Sequence, residues 1–179
     1  MKKHSCGALL YTVLNNKIYI ILGMEKGKWY PFKGTREKGE TNELAAIREI
    51  YEETCGVVKL NKINLRCNFT TKRKHYHIGL IKIEPDFINK FYKNKKFILN
   101  QIESINSPPN YIPFLEKNEI KMFTLDDINY KKFHHVTITP INFYYDFLKS
   151  IEKQHNVKTI EYINKSRLDI LNPKIQIAN

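Results

Sequence analysis

Three glutamates, Glu49, Glu52 and Glu53, lie within one helical turn of sequence. At about 100° per residue they fall within an arc of roughly 100° on one side of a helix. Leu44, Ile47, Ile50 and Tyr51 fall on the other side, which predicts an apolar face toward a core and a charged face away from it. Like charges three and four residues apart oppose helix formation unless something neutralises them. A hard divalent cation, held by oxygen ligands, is the natural neutraliser. The chemistry expected of this face is therefore the binding of such a cation. Glu40, Arg48 and the turn glycine Gly34 stand close by in sequence.

The elements that must position these groups follow from local pattern. No proline interrupts 42–54, and Ala45 and Ala46 raise its helix propensity. Thr41 or Asn42 can cap its start, and Gly56 can stop it. Upstream, 5–14 and 17–24 read as strands joined by the turn Asn15-Asn16, and 25–30 as a polar loop. Downstream, 57–65 reads as a short strand, a turn and another strand, 66–71 as strand or loop, and 78–83 as a strand. The 85–113 stretch is expected to hold a helix near 87–97 and a proline-rich loop at 107–113. A strand at 119–123 precedes an acidic turn at 125–128. Thr139-Pro140 suits a helix start, with an apolar stripe running to about Lys153. Residues 1–155 are expected to form one domain, and 156–179 a C-terminal tail or docking helix.

Composition narrows the partners. The chain has 179 residues, 42% hydrophobic, enough for one domain with a real core. Its net charge of +12 favours polyanions such as nucleic acid, nucleotides or an anionic surface. The charge is uneven. Residues 59–100 carry eleven Lys/Arg against two acids, whereas 34–57 carry six Glu against three Lys/Arg. An acidic centre followed by a basic stretch suits a metal site serving a phosphate-rich substrate. Cys6, Cys55 and Cys67 are odd in number and lack metal-ligand spacing, so a reducing, cytoplasmic setting is expected. No apolar run is long enough for a membrane span, and the short, interrupted run after Met1 reads as a first strand rather than a signal peptide.

The segment from Gly34 to Gly56 resembles the Nudix box, Gly-x5-Glu-x7-Arg-Glu-aliphatic-x-Glu-Glu-x-Gly-aliphatic. Gly34, Glu40, Arg48, Glu49, Ile50, Glu52 and Glu53 match it in register. Gly7-Ala8 in the first strand, the approach from Trp29 to Lys33-Gly34, and Glu119-Ile120 before Phe123 with Asp126-Asp127 are similar to the family beyond the box. Two departures stand out. Cys55 occupies the place of the box's last glycine, which then appears as Gly56, as if one residue were inserted at the helix end. Many relatives read Phe-Pro-Lys-Gly where this chain reads Pro31-Phe32-Lys33-Gly34.

The resemblance implies an α/β fold, a Nudix-type α/β/α sandwich with a mixed sheet flanked by the box helix and a C-terminal helix. It implies hydrolysis of a diphosphate linkage in a nucleoside diphosphate joined to another group, with Mg2+ or Mn2+ as cofactor. By residue, it implies that Glu49, Glu52 and Glu53 hold the metal, that Glu40 and the Gly34 carbonyl complete its shell, and that Glu49, Glu53 and Arg48 act in catalysis. Arg48 is expected to orient a carboxylate. Glu119 is the candidate general base outside the box, with His75, His77, His134 and His135 as alternatives. Lys33, Trp29, Lys72, Arg73, Lys74 and Tyr76 are candidate substrate-binding residues, and Tyr30 and Tyr111 could also stack a base. The substrate expected is a capped RNA 5′ end, with RNA tracking the basic 59–100 segment. The alternative is a small polyphosphate, such as a dinucleoside polyphosphate, an inositol pyrophosphate or an ADP-ribose-like nucleotide. A third reading is a catalytically idle binding module.

Overall fold

The computed structural model describes residues 2–104, 112–128 and 133–171, with side chains in the last helix described as far as 156. Its centre is β1 (Lys3–Leu14), buried without interruption from Ser5 to Thr12. A strand buried on both faces needs cover on both, and the sheet is accordingly sandwiched. β1 pairs antiparallel with β2 (Lys17–Glu25) through the turn at Asn15 and Asn16, whose φ values of 49° and 60° are those expected of asparagine in a tight hairpin. β2 then turns at Lys26-Gly27 into β3 (Lys28–Tyr30). The expected polar loop at 25–30 is thus a second hairpin, because Lys26 and Gly27 both adopt positive φ.

β4 (Phe32–Thr35) takes the place beside the first half of β1, antiparallel, with Cys6 opposite Gly34. β5 (Cys67–Thr70) pairs antiparallel with β6 (Lys74–Lys82), which runs parallel to β1. β7 (Glu119–Thr124) pairs with β2. The path β3-β2-β1-β6-β5, with β4 on β1 and β7 on β2, is a mixed seven-stranded sheet. The strands expected within 57–65 do not form. Val57, Leu60, Ile63 and Leu65 instead pack on the core from an irregular segment, so their spacing records burial and not a strand period.

One face carries α1 (Asn42–Glu53) and α2 (Phe87–Ser104). Their Ala45, Ala46, Ile50, Phe87 and Phe91 pack on Ala8, Leu10, Ile21 and Phe32. The other face carries α3 (His135–Leu171), whose Ile141, Tyr144 and Leu148 pack on Leu9, Tyr11, Ile18, Ile20 and Ile78. A sheet between helical layers is the α/β sandwich expected. Truncating a fully buried side chain in either cluster, such as Ile50, to Ala costs about 2–5 kcal/mol.

Helix starts and stops differ from expectation in places. α2 is longer than the stretch near 87–97. α3 begins at His135, ahead of Thr139-Pro140, because His134 caps it. The Val136 N–H donates to His134 Nδ1 at 3.3 Å, and the Thr137 N–H to the His134 carbonyl at 2.8 Å. Pro140 therefore sits inside the helix, where it removes one intrahelical donor. α3 continues beyond 155, into the stretch expected to form a tail or docking helix. A short 3-10 helix spans Ile112–Leu115, and most of the expected 107–113 loop lies outside the described residues. Among the described residues no helix is long and apolar enough to cross a membrane.

Candidate active site

α1 is positioned by its caps. Thr41 accepts from the Leu44 N–H at 3.2 Å. At the other end the Gly56 N–H reaches the Tyr51 carbonyl at 2.8 Å and the Cys55 N–H reaches that of Glu52 at 3.0 Å. This is a Schellman closure with Cys55 in the left-handed position that glycine usually takes, at φ 54°. The helix is not lengthened by the departure from the box pattern. Cys55 does the glycine's work, and its thiol faces the Phe114 carbonyl at 3.1 Å.

The buried face of α1 is not the one its pattern suggests. Leu44 is 56% exposed and Tyr51 37%, whereas Glu49 and Glu53 are buried beside Ala45, Ala46 and Ile50. Two alanines let the helix lie close on the sheet, so the carboxylates are trapped between α1 and β4 rather than turned to solvent. A Cβ on Gly34 would stand 1.9 Å from Glu49 Oε2. The missing side chain at Gly34 is the space that Glu49 occupies.

Arg48 ties this region together. It donates to Glu40 Oε1 at 2.8 Å, Glu49 Oε1 at 2.9 Å, Glu52 Oε2 at 3.0 Å and the Thr35 carbonyl at 3.1 Å. Its hydrogen bond holds the Glu40 carboxyl below the usual carboxylate range. Glu40 also accepts the Glu37 N–H at 2.8 Å. Both Glu40 oxygens are thus spent on the loop-to-helix clasp.

Glu53 is 1% exposed. Its Oε2 accepts the Lys33 N–H at 2.6 Å, and Lys117 Nζ lies 3.1 Å from its Oε1. Among the described residues this ion pair is the one polar contact of Oε1. Lys117, itself 1% exposed, also approaches Glu25 at 3.3 Å. Burial pushes Glu53 upward, against the pull of Lys117 and Lys33. Burial pushes Glu49 up to about 7, with Arg48 opposing and Glu52 and Glu116 adding to the rise. Burial and the Lys117 charge pull Lys33 down, and its ammonium stands 4.9 Å over the Tyr30 ring.

These groups border a cleft of about 430 Å³ whose walls include Glu25, Lys33, Gly34, Arg36, Arg48, Glu49, Glu52, Lys74 and Glu116. Carboxylates meet cations along one surface, as a metal and phosphates together require. Lys74 also lines a neighbouring recess of about 520 Å³ formed with Thr71, Lys72, Arg73, Tyr76, His134 and His135. Four of the expected substrate-binding residues therefore share one basic recess. Tyr76 is braced there by Phe69, stacked at 4.8 Å.

Other expected residues lie elsewhere. Trp29 packs edge-on to Phe123 at 5.1 Å in the α3-side core and lines neither recess nor cleft. Glu119 is exposed at the start of β7, opposite Met24, and is not among the cleft walls. His75 and His77 lie on the α1 side of β6 with His4, whose Nδ1 is 2.9 Å from His77 Nε2. Tyr111 is outside the described residues. Glu25, Glu116, Arg36 and Lys117 were not singled out by sequence. Each lies in a loop or at a strand end, with no spacing to mark it.

The oxygen donors fit a hard divalent cation. Glu49 and Glu52 line the cleft, Glu49 filling the space left by Gly34, and Glu53 lies behind them paired with Lys117. Among the described residues no three His, Cys, Asp or Glu side chains already converge as a finished metal site. Arg48 and Lys117 supply the positive charge in the arrangement seen here.

No family model matches the sequence, and no curated protein matches it. Solved structures with a similar overall shape include a C. elegans Ap4A hydrolase in a binary complex, at 20% identity, covering 89% of this chain and 98% of that chain, TM-score 0.46. A NUDIX hydrolase from Nitrosomonas europaea is similar at 19% identity, covering 87% and 73%, TM-score 0.48. A MutT structure from work on Aliivibrio salmonicida and Vibrio cholerae is similar at 13% identity, covering 84% and 96%, TM-score 0.47. At such identities and scores the functional reading rests on the site's own residues.

Proposed function

We propose that this chain is a divalent-metal-dependent hydrolase of the Nudix class, cleaving a diphosphate linkage in a nucleoside diphosphate joined to another group. The observation that carries the proposal is the box pattern from Gly34 to Glu53 folded so that Glu49 seats in the space left by Gly34, at the wall of a cleft holding both acids and bases. Glu49, Glu52 and Glu53 would hold Mg2+ or Mn2+. When bound, the ion supplies Lewis-acid neutralisation of phosphate charge. Arg48 and Glu40 fix the turn on the helix. Lys33, Arg36 and Lys74 would orient phosphate oxygens, and Glu116, at the cleft wall, would accept a proton from the attacking water.

The substrate we favour is a capped RNA 5′ end. The recess of Lys72, Arg73, Lys74, Tyr76, His134 and His135 adjoins the cleft, offering cations and a braced aromatic ring to the part of the substrate beyond the scissile bond. The same recess also suits a second nucleoside polyphosphate arm, which keeps a dinucleoside polyphosphate as the second reading.

The test is a substrate panel in Mg2+: capped RNA, diadenosine polyphosphates, inositol pyrophosphates and ADP-ribose, with Glu52→Gln alongside. Turnover of capped RNA that is lost in the variant is expected. Preference for a diadenosine polyphosphate would select the second reading, and no turnover of any would leave a binding module.

A further inference from the structure

The cleft and recess leave α2 unused. This helix buries Phe87 and Phe91 and leans Ile88 and Ile98 on the core. Its opposite face is not a plain solvated surface. Tyr92 is 41% exposed, Phe97 64% and Leu99 40%, and Lys93 and Lys96 are exposed among them. Tyr92 precedes Lys96 by four residues, and Lys93 precedes Phe97 by four, so each ring has a lysine beside it and the two lysines lie between the two rings. Exposed aromatics grouped in this way call for a partner. Among the described residues neither Lys93 nor Lys96 pairs with a carboxylate, whereas Lys90 is paired with Asp86 at 2.8 Å.

The helix is also tied to the cleft. Lys95 Nζ donates to the carbonyls of Lys117 and Asn118, at 2.5 and 3.2 Å. The Tyr92 hydroxyl accepts the Ile120 N–H at 3.2 Å, which holds that ring in place. Lys117 in turn pairs with Glu53, and the 3-10 helix against α2 carries Pro113 and leads to Glu116, both cleft walls.

We propose that the outer face of α2 binds single-stranded nucleic acid, with Lys93 and Lys96 on backbone phosphates and Tyr92 and Phe97 stacked on bases. Cations flanked by rings suit a single strand, in which every base offers a π-face and every nucleotide a negative charge. The net charge of +12, with eleven Lys/Arg against two acids over 59–100, favours a polyanion here over an acidic amphipathic peptide. As a track for the RNA body leaving the cleft, this surface rests on the capped-RNA reading. As a binding surface it does not.

The experiment measures fluorescence anisotropy of an uncapped, labelled single-stranded RNA of about twenty nucleotides, several site sizes long, with the full chain, across a salt series. Lys93→Glu/Lys96→Glu, Phe97→Ser and Lys72→Glu/Arg73→Glu are compared with wild type, each checked for its melting temperature. The α2 charge reversal is expected to weaken binding tenfold or more and to flatten the log–log salt slope by about 1.4, for two lost phosphate contacts on a single strand. Phe97→Ser is expected to weaken it on the order of tenfold. Hydrolysis of a small diphosphate substrate should be unchanged in both. Binding unchanged by the α2 variants, or lost only in the Lys72/Arg73 variant, overturns the proposal. Absence of RNA binding by wild type overturns it as well. If α2-dependent binding is seen but capped RNA is not turned over, the surface stands and the substrate reading falls.

Discussion

Glu49 occupies the space of the side chain that Gly34 lacks, its Oε2 standing 1.9 Å from where a Cβ would be built. The obstructing group is the end of a flexible side chain, so Gly34→Ala is expected to fold. The carboxylate must swing aside, however, and its position is what the proposed chemistry would use. Displacement of a reacting group by about 1 Å costs on the order of 100-fold in rate. Gly34→Ala should therefore lose about 100-fold in kcat/KM with a melting temperature close to wild type. Activity within a few-fold of wild type would sink the placement of Glu49.

Lys117 makes the opposite prediction. Its stem passes over Gly23, where a Cβ would stand 2.6 Å from the lysine Cδ, and its charge ends between Glu53 and Glu25. Lys117→Met keeps the stem but leaves Glu53 buried without a counter-charge. Breaking one side of a buried pair costs about 3–5 kcal/mol. Denaturant unfolding at neutral pH should show that loss, and Glu53→Gln added to Lys117→Met should recover most of it. Additive losses in the double variant would mean the two groups are not coupled.

The helix and its carboxylates were more legible in the sequence than their surroundings. Thr41 to Glu53 was legible because capping, alanine content and the carboxylate spacing all agree. The buried face was not, because periodicity cannot tell that Ala45 and Ala46 bring the helix so close that Glu49 and Glu53 turn inward. Cys55 read as an insertion because a left-handed cysteine is uncommon; only backbone geometry reveals it in the glycine's place. β3 was missed because Lys26-Gly27 carries a weaker turn signature than Asn15-Asn16. Lys117 and Glu116 reach the site through the chain's path after α2, which local pattern does not encode.

The Glu49 pKa yields a stability profile with a definite sign. Burial raises it in the folded protein to about 7, above the ordinary carboxylate value of about 4.3. Between those values the folded state binds more protons than the unfolded state, so the metal-free protein loses stability as pH rises through that window. The difference in melting temperature between wild type and Glu49→Gln in EDTA isolates this term. It should move against wild type from about pH 5 to about pH 7.5, within the range set by those two values. Mg2+ should reverse the trend, since it favours the ionised carboxylate. A difference independent of pH would contradict the burial of Glu49.

Two glutamates near the cleft compete for the role of proton acceptor, and geometry separates them. Glu116 borders the cleft, and its charge bears on Glu49. Glu119 stands exposed at the start of β7, outside the cleft walls. A positioned general base contributes about 10²–10⁴-fold, and only a group within reach of the attacking water can do so. Glu116→Gln should lower kcat by about 100-fold or more, with the Mg2+ requirement little changed. Glu119→Gln should retain wild-type kcat. Since both residues are exposed, neither change should move the melting temperature appreciably, and the comparison reads the chemistry directly. If Glu119→Gln loses activity and Glu116→Gln keeps it, the water is activated from the β7 side and the cleft described here is not where the bond breaks.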